Sequence, residues 1–315
     1  MSGIVGNDLK QQVLEALSRC GLLRPGALLS EFTTFRAGGP ADYLLTPFDR
    51  QGLRTAMTIA AEENLPLTVI GGGSNLLISD EGVRGLVIRL CEEEGLVSHG
   101  AVEEDGTLYA DAWMKKRRFL ERCLEESLEG MEFMAGIPGC LGGGIIMNAG
   151  TNMGTFADIL ERVEYLDSRG ELKTAPIRKD MAKYRSLNLG EKAVITGGFF
   201  RLQPVKKIDL VRKKIEEIEA ERKVKHPLDY PSAGSVFKNP EGHASWKLIN
   251  DAGLKGRRLG GAMVSELHTN FIINVDKARS VDILNLIRLI QEEVRKQFSI
   301  TLETEIRMLG DFPDL

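Results

Sequence analysis

The chain is poor in aromatic residues, at 6%, and holds only four cysteines and four histidines among 315 residues. Cys20, Cys91, Cys123 and Cys140 show no C-x-x-C spacing, which excludes a disulfide-stapled miniprotein and a zinc ribbon. Four reduced thiols in a cytoplasmic protein are expected. His99, His226, His243 and His268 offer neither H-x-x-x-H nor H-E-x-x-H, so no metal site is expected. No apolar run reaches the roughly 20 residues of a membrane helix. The longest, Gly136 to Ala149, is broken by Pro138 and several glycines. Met1 to Asp8 lacks the basic start and apolar centre of a secretory signal. An excess of one charge is missing too: 41 basic and 45 acidic residues give a net charge of −4. That balance provides no broad cationic surface for nucleic acid.

What is present suits a soluble globular protein, with 43% hydrophobic and 27% charged residues. The length fits two or three domains at about 150 residues each. Leu9, Val13, Leu14 and Leu17 recur at helical spacing and predict a helix over Leu9–Arg19, ended by Gly21 and Pro25. Further helices are predicted over Gln51–Glu63, Trp113–Leu128, Ile208–Lys223 and Val281–Phe298. Strands are predicted over Asp42–Thr46, Leu67–Ile70, Leu86–Leu90, Leu108–Ala112, Val163–Asp167, Ala193–Leu202, Asn270–Asn274 and Thr301–Met308. Lys115 to Arg118 reads as a solvated helix face, and Trp113 and Trp246 as packing residues. A composition shift at His226-Pro227 marks a boundary region. Helices and strands alternate without a strict βαβ rhythm, so an α+β fold is favoured over a doubly wound sheet.

Glycine is abundant, at 34 residues or about 11%, against roughly 7% on average. It clusters twice. Val69-Ile-Gly-Gly-Gly-Ser-Asn-Leu-Leu-Ile78 lets the main chain approach a ligand closely, with Ser74 and Asn75 as donors. It is neither G-x-G-x-x-G opening a helix nor a lysine-bearing phosphate loop. The second cluster runs from Gly136 to Gly150, with Gly136, Gly139 and Gly142 spaced by three and Gly143 and Gly144 following. Pro138 forbids a regular helix across it. Two such segments about 65 residues apart suggest the two sides of one extended nucleotide cofactor.

Other strings join these clusters in order: Thr33-Thr-Phe-Arg-Ala-Gly-Gly-Pro-Ala-Asp42, Gly130-Met-Glu-Phe-Met-Ala-Gly-Ile-Pro-Gly139, Met147-Asn-Ala-Gly150, Tyr184-Arg-Ser186, Pro231-Ser-Ala-Gly-Ser-Val-Phe-Lys-Asn-Pro240, Gly253-Leu-Lys-Gly256, His268-Thr-Asn-Phe271 and Leu302-Glu-Thr-Glu305. Together, from about Phe32 to Gly310, they resemble the UDP-N-acetylenolpyruvoylglucosamine reductase (MurB) family of bacterial peptidoglycan synthesis. The resemblance implies an α+β fold. A FAD-binding region of the vanillyl-alcohol-oxidase (PCMH) type, in two subdomains, is expected at 30–203 after an N-terminal helical segment at 1–29. A third, α/β substrate-binding domain is expected at 204–315. The short stretch between Arg222 and Ser235 is similar to the family's compact variant, which lacks an inserted loop carrying a substrate-binding tyrosine.

The same resemblance implies cofactor contacts at Gly71, Gly72, Gly73, Ser74, Asn75, Gly136, Ile137, Gly139, Gly142, Gly143, Asn148 and Ala149. It implies non-covalent FAD, with NADPH as hydride donor. The implied reaction reduces an enolpyruvyl ether of a UDP-sugar to a lactyl ether. Arg185 would stabilise the developing enolate, Ser235 would protonate the carbon beside the carboxylate, and Glu305 would support the intermediate. Tyr184, Lys238 and Asn239 are the implied substrate contacts. A cytoplasmic monomer without nucleic-acid or membrane partners is expected. Departures from the family pattern are Cys140 for a usual Thr, Gly144 for a common Ala, Thr151-Asn-Met-Gly154, His226 before Pro227, and Ser186 directly after Arg185. Two alternatives stand beside this reading. One is a related FAD-dependent alcohol or lactone oxidase, in which Cys140 is the nearby thiol for a covalent tether. The other is a non-catalytic nucleotide-sugar-binding protein.

Overall fold

The structure is a computed structural model that describes residues 10–92, 96–188 and 193–312. The leader-free reading of Met1 to Asp8, and Leu9 of the first helix, lie outside the described residues. The described chain divides into two compact units. The first comprises 1–25, 43–72 and 85–220; the second comprises 26–42, 73–84 and 221–315. One division therefore falls inside the first glycine cluster, between Gly72 and Gly73.

The first unit is built on two sheets. One orders Gly21–Pro25, Ala41–Pro47, Val83–Arg89 and Leu67–Ile70, the last two running parallel in the register Ile70↔Arg89. The amphipathic helices Gln11–Cys20 and Arg50–Glu62 bury Val13, Leu17, Leu53, Ala56 and Met57 in a core shared with Leu86 and Ile88. Asp49 caps the second helix, its carboxylate accepting from the Gly52 N–H at 2.7 Å. The other sheet is antiparallel, ordered Leu172–Pro176, Leu160–Leu166, Val194–Phe200, Leu108–Asp111 and Gly100–Val102. Its inner face meets the helix Lys116–Glu125 through Phe119, Leu120 and Cys123, with Phe119 and Phe200 at 4.7 Å between ring centroids.

The second unit packs the long helix Ser280–Phe298 against the antiparallel strands Arg258–Leu259, Ala262–Val264 and Ile272–Asn274. Ile283, Leu286, Ile287, Ile290 and Val294 recur at helical spacing and are buried. Leu76–Ile78 and Arg307–Leu309 form a parallel pair in this unit.

The first helix stops at Cys20 with Gly21 as its C-cap, and Gly21–Pro25 goes on as an edge strand paired along Tyr43–Pro47. Two expectations need correction. The predicted strand Thr301–Met308 shrinks to Arg307–Leu309, because the preceding residues bond to a different segment. Lys116 is not on a solvated face. It is 4% exposed, and only its neighbours Lys115, Arg117 and Arg118 turn outward.

Candidate active site

In the first unit, the strand Leu67–Ile70 delivers Gly71 and Gly72 to its end, where the Leu90 N–H donates to the Ile70 carbonyl at 2.8 Å. A Cβ on Gly72 would sit 2.9 Å from Cα of Gly139 and 3.5 Å from the Cys140 nitrogen. The two glycine clusters thus meet main chain to main chain. Gly139 turns the second cluster with φ +95, open to glycine and strained for other residues. Lys116 clamps this turn twice. Its backbone N–H donates to the Gly139 carbonyl at 3.0 Å, and its ammonium donates to the Pro138 carbonyl at 2.8 Å.

Beyond Pro138, a six-residue helix, Leu141–Ile146, forms despite three consecutive glycines. Packing explains two of them. A Cβ on Gly142 would meet Ala112 at 3.1 Å, and one on Gly144 would strike the Phe156 ring at 2.6 Å and Lys116 Cε at 2.8 Å. A Cβ on Gly143 would meet nothing within 4 Å, so this turn presents bare main chain to open space. A flat cofactor can lie against such a surface, and the donors of the segment suit its diphosphate. Gly72→Ala is expected to cost about 1–3 kcal/mol of stability, because backbone confronts the new methyl on the far side. Thermal denaturation, with flavin retained per mole of protein as a second readout, checks it.

Tyr184 and Arg185 form the two-residue loop between Ala182–Lys183 and Ser186–Leu187. Arg185 has a left-handed backbone, φ 57. Its guanidinium donates to the Gly150 carbonyl at 3.0 Å and lies 5.0 Å from the centre of the Tyr184 ring, which is itself exposed. Asn148 secures the hairpin to the second glycine cluster. Its amide donates to the Lys183 carbonyl at 3.2 Å, and its side-chain oxygen accepts from the Ala157 N–H at 2.9 Å. Both ends of the Asn148 side chain are therefore occupied within the protein.

In the second unit, Asn75 leaves the first glycine cluster with its amide donating to the Glu305 carbonyl at 3.1 Å, while its own carbonyl accepts from Arg307 N–H at 2.9 Å. Ser235 is half-buried and bridges Phe271. On one side of this segment the Val236 N–H donates to the Asn270 carbonyl at 2.8 Å. On the other the Glu305 N–H donates to the Val236 carbonyl at 2.7 Å. Main chain thus holds Ser235 and Glu305 in adjacent segments. Lys238 carries an ion pair to Glu303 at 3.2 Å, and the Asn239 side-chain oxygen accepts from Ser245 N–H at 3.0 Å, leaving its NH2 group as donor.

His226, His268 and Phe271 form an aromatic cluster beside this segment. His226 stacks on Phe271 at 5.0 Å, and His268 stands edge-on to both. Burial first, then Arg222, His268 and Lys225, hold the His226 imidazole down to about 4. Burial also lowers His268. Unfolded, His226 protonates near 6.5, so between about 6.5 and 4 the unfolded chain binds more proton and stability falls as pH drops. Partial exposure reduces the effect to about 1–2 kcal/mol. His226→Gln is expected to lose less stability than wild type between pH 7 and pH 4.5 in denaturant titrations.

Sequence reasoning singled out the glycine clusters and, by resemblance, the Tyr184-Arg-Ser186 motif, but missed Lys116 and the tie from Asn75 to Glu305. The Lys116 signal was present: Lys116, Phe119, Leu120 and Cys123 share one helix face, and all are buried. Among the described residues no group of three or more His, Cys, Asp or Glu could hold a metal ion, and no helix is long and apolar enough to cross a membrane.

Residues 41–175 match the family described as FAD binding domain, and residues 226–309 match UDP-N-acetylenolpyruvoylglucosamine reductase, C-terminal domain. Curated proteins named UDP-N-acetylenolpyruvoylglucosamine reductase are similar over nearly the whole length. That of Lachnoclostridium phytofermentans is 41% identical over 99% of both chains. That of Agathobacter rectalis is 40% identical over 96% of this chain and 98% of its own. The crystal structure of UDP-N-acetylenolpyruvylglucosamine reductase from Thermus caldophilus superposes with a TM-score of 0.76 at 33% identity, over 92% of this chain and all of that one.

Proposed function

The chain belongs to the UDP-N-acetylenolpyruvoylglucosamine reductase family, and from that premise we propose that it reduces the enolpyruvyl ether of UDP-N-acetylglucosamine to UDP-N-acetylmuramate for peptidoglycan synthesis. The observation that carries this reading is the meeting of Gly72 and Gly139 with Gly143 left facing open space, a cradle that any side chain at those positions would fill or distort. Within the first unit this cradle fits FAD held by Gly71 and Gly72 on one segment and by Gly136, Ile137, Gly139, Gly142, Gly143 and Ala149 on the other. Asn148 serves this site by anchoring the arginine hairpin. The flavin is non-covalent, because the thiol of the nearby Cys140 is engaged with Cys91.

FAD, when bound and reduced by NADPH, supplies a hydride to the terminal carbon of the enolpyruvyl group. The residues do the rest. Arg185 neutralises negative charge gathering on the substrate carboxylate, a preorganised contribution of about 2.7–4 kcal/mol. Ser235 delivers its hydroxyl proton to the carbon beside that carboxylate. Glu305 gives the intermediate electrostatic and hydrogen-bonding support. Lys238 and the NH2 group of Asn239 meet the uridine diphosphate, and Tyr184 packs against substrate. The enzyme acts as a cytoplasmic monomer on small molecules.

The test is spectroscopic. Holoprotein under nitrogen should lose its visible flavin absorption on addition of one equivalent of NADPH and regain it when the enolpyruvyl ether follows. Reduction without reoxidation by that ether would refute the assignment. Acid precipitation should release the yellow colour into the supernatant; a yellow pellet would instead favour a covalent-flavin oxidase.

A further inference from the structure

Cys91 and Cys140, both in the first unit, are 3% and 2% exposed. Their Sγ atoms lie 2.6 Å apart, with the Cys140 thiol donating to Cys91. Ordinary nonbonded packing keeps heavy atoms at roughly 3.5–4.0 Å, whereas a disulfide needs about 2.05 Å. The two sulfurs are therefore closer to bonding distance than to packing distance. Neither remaining cysteine is so placed: the Cys20 thiol donates to the Ala16 carbonyl of its own helix at 3.3 Å, and Cys123 is buried against the Lys116–Glu125 helix core.

The surroundings give the pair a consequence. Cys91 lies two residues beyond Val83–Arg89, the strand that pairs with Leu67–Ile70 and so supports Gly71 and Gly72. Cys140 follows Gly139 directly and caps the glycine helix Leu141–Ile146. A bond between the sulfurs would link the support of one glycine cluster to the body of the other.

We propose that Cys91 and Cys140 form a redox-modification site, a dithiol that low-molecular-weight disulfides convert to an intramolecular disulfide across the two glycine segments. Cys140 is the donor of the pair and Cys91 the acceptor, so Cys91 is the sulfur that attacks. Local opening that exposes the pair lets the Cys91 thiolate break the S–S bond of oxidised glutathione, forming a mixed disulfide and releasing one glutathione thiolate. Cys140 then gives up its proton to solvent base, and its sulfur displaces the second glutathione. Two electrons pass to glutathione, and the two thiol protons end on the two glutathione molecules.

Holoprotein purified under reducing conditions is incubated anaerobically with oxidised glutathione, then alkylated and digested after glutamate, since Glu125, Glu126, Glu129 and Glu132 separate Cys123 from Cys140. The intact mass should fall by two hydrogen atoms, and one cross-linked peptide pair should contain Cys91 and Cys140. The melting temperature should rise by about 5 °C and return with dithiothreitol. Cys91→Ser and Cys140→Thr should show neither change. If those variants fold poorly, the double variant Cys20→Ser/Cys123→Ser, which keeps the pair, should behave as wild type. An unchanged mass, a persistent glutathione adduct, or a cross-link to Cys20 or Cys123 would overturn the proposal. None of these readouts needs NADPH or the enolpyruvyl ether, so their failure leaves the proposed reduction standing.

Discussion

Ser235→Ala is expected to leave flavin reduction by NADPH within about twofold of wild type and to slow reoxidation by the enolpyruvyl ether by about 10²–10⁴-fold. The asymmetry follows from the two halves of the proposed reaction. Hydride transfer from NADPH moves no proton to a carbon of the sugar ether, so a hydroxyl assigned to that proton has no work in it. The second half ends only when a carbon beside the carboxylate acquires a proton. The variant should fold, because what fixes this segment is main chain. Val236 donates to Asn270, Glu305 donates to Val236, and Lys238 donates to the Glu303 carbonyl at 2.9 Å. None of these bonds involves the serine hydroxyl. Stopped-flow absorbance separates the halves in one experiment. Ser235→Cys, which keeps a donor, should recover part of the lost rate. Equal slowing of both halves in a folded alanine variant would remove Ser235 from the role of proton donor.

How much of this was legible beforehand depended on which force fixed each element. Leu67–Ile70 is a strand between the residues expected, because an apolar β-type run is bounded by Pro66 and Gly71. Ser280–Phe298 matches within one residue at its start, since seven buried positions repeat at helical spacing. Gly21–Pro25 escaped because glycine and proline read as breakers; only pairing with the following strand makes that segment extended. The helix Leu141–Ile146 runs against glycine's poor helix propensity. Ala112, Phe156 and Lys116 leave no room for side chains at Gly142 and Gly144, and that crowding exists only in three dimensions. The end of the predicted Thr301–Met308 strand was right and its beginning wrong. Hydrogen bonding from Glu305 passes to Val236, and only from Arg307 onward does the chain pair with Leu76–Ile78.

Arg185 shows what a sequence hides, and it sets the second large effect. A two-residue hairpin loop ordinarily takes glycine or asparagine where φ is positive, yet arginine occupies that place here with φ 57. Left-handed backbone costs a residue with a Cβ roughly 1–2 kcal/mol. Strain retained at such a position points to a role for the side chain. Arg185→Ala and Arg185→Gly both remove the guanidinium and its bond to Gly150, so both should lower reoxidation of the reduced enzyme by the enolpyruvyl ether by about 10²–10³-fold. They should differ in stability. The glycine variant should be the more stable by about 1 kcal/mol, the reverse of the order expected inside a helix. Arg185→Lys keeps a charge but loses the planar fork, so its rate should fall between wild type and alanine. Denaturant titration of the glycine and alanine variants measures the strain, and the stopped-flow rate measures what the strain supports. An alanine variant as stable as the glycine variant would mean the loop relaxes without cost. A glycine variant within tenfold of wild-type rate would mean the guanidinium stabilises nothing in the transition state, and a strained arginine would then stand in this turn without a chemical reason.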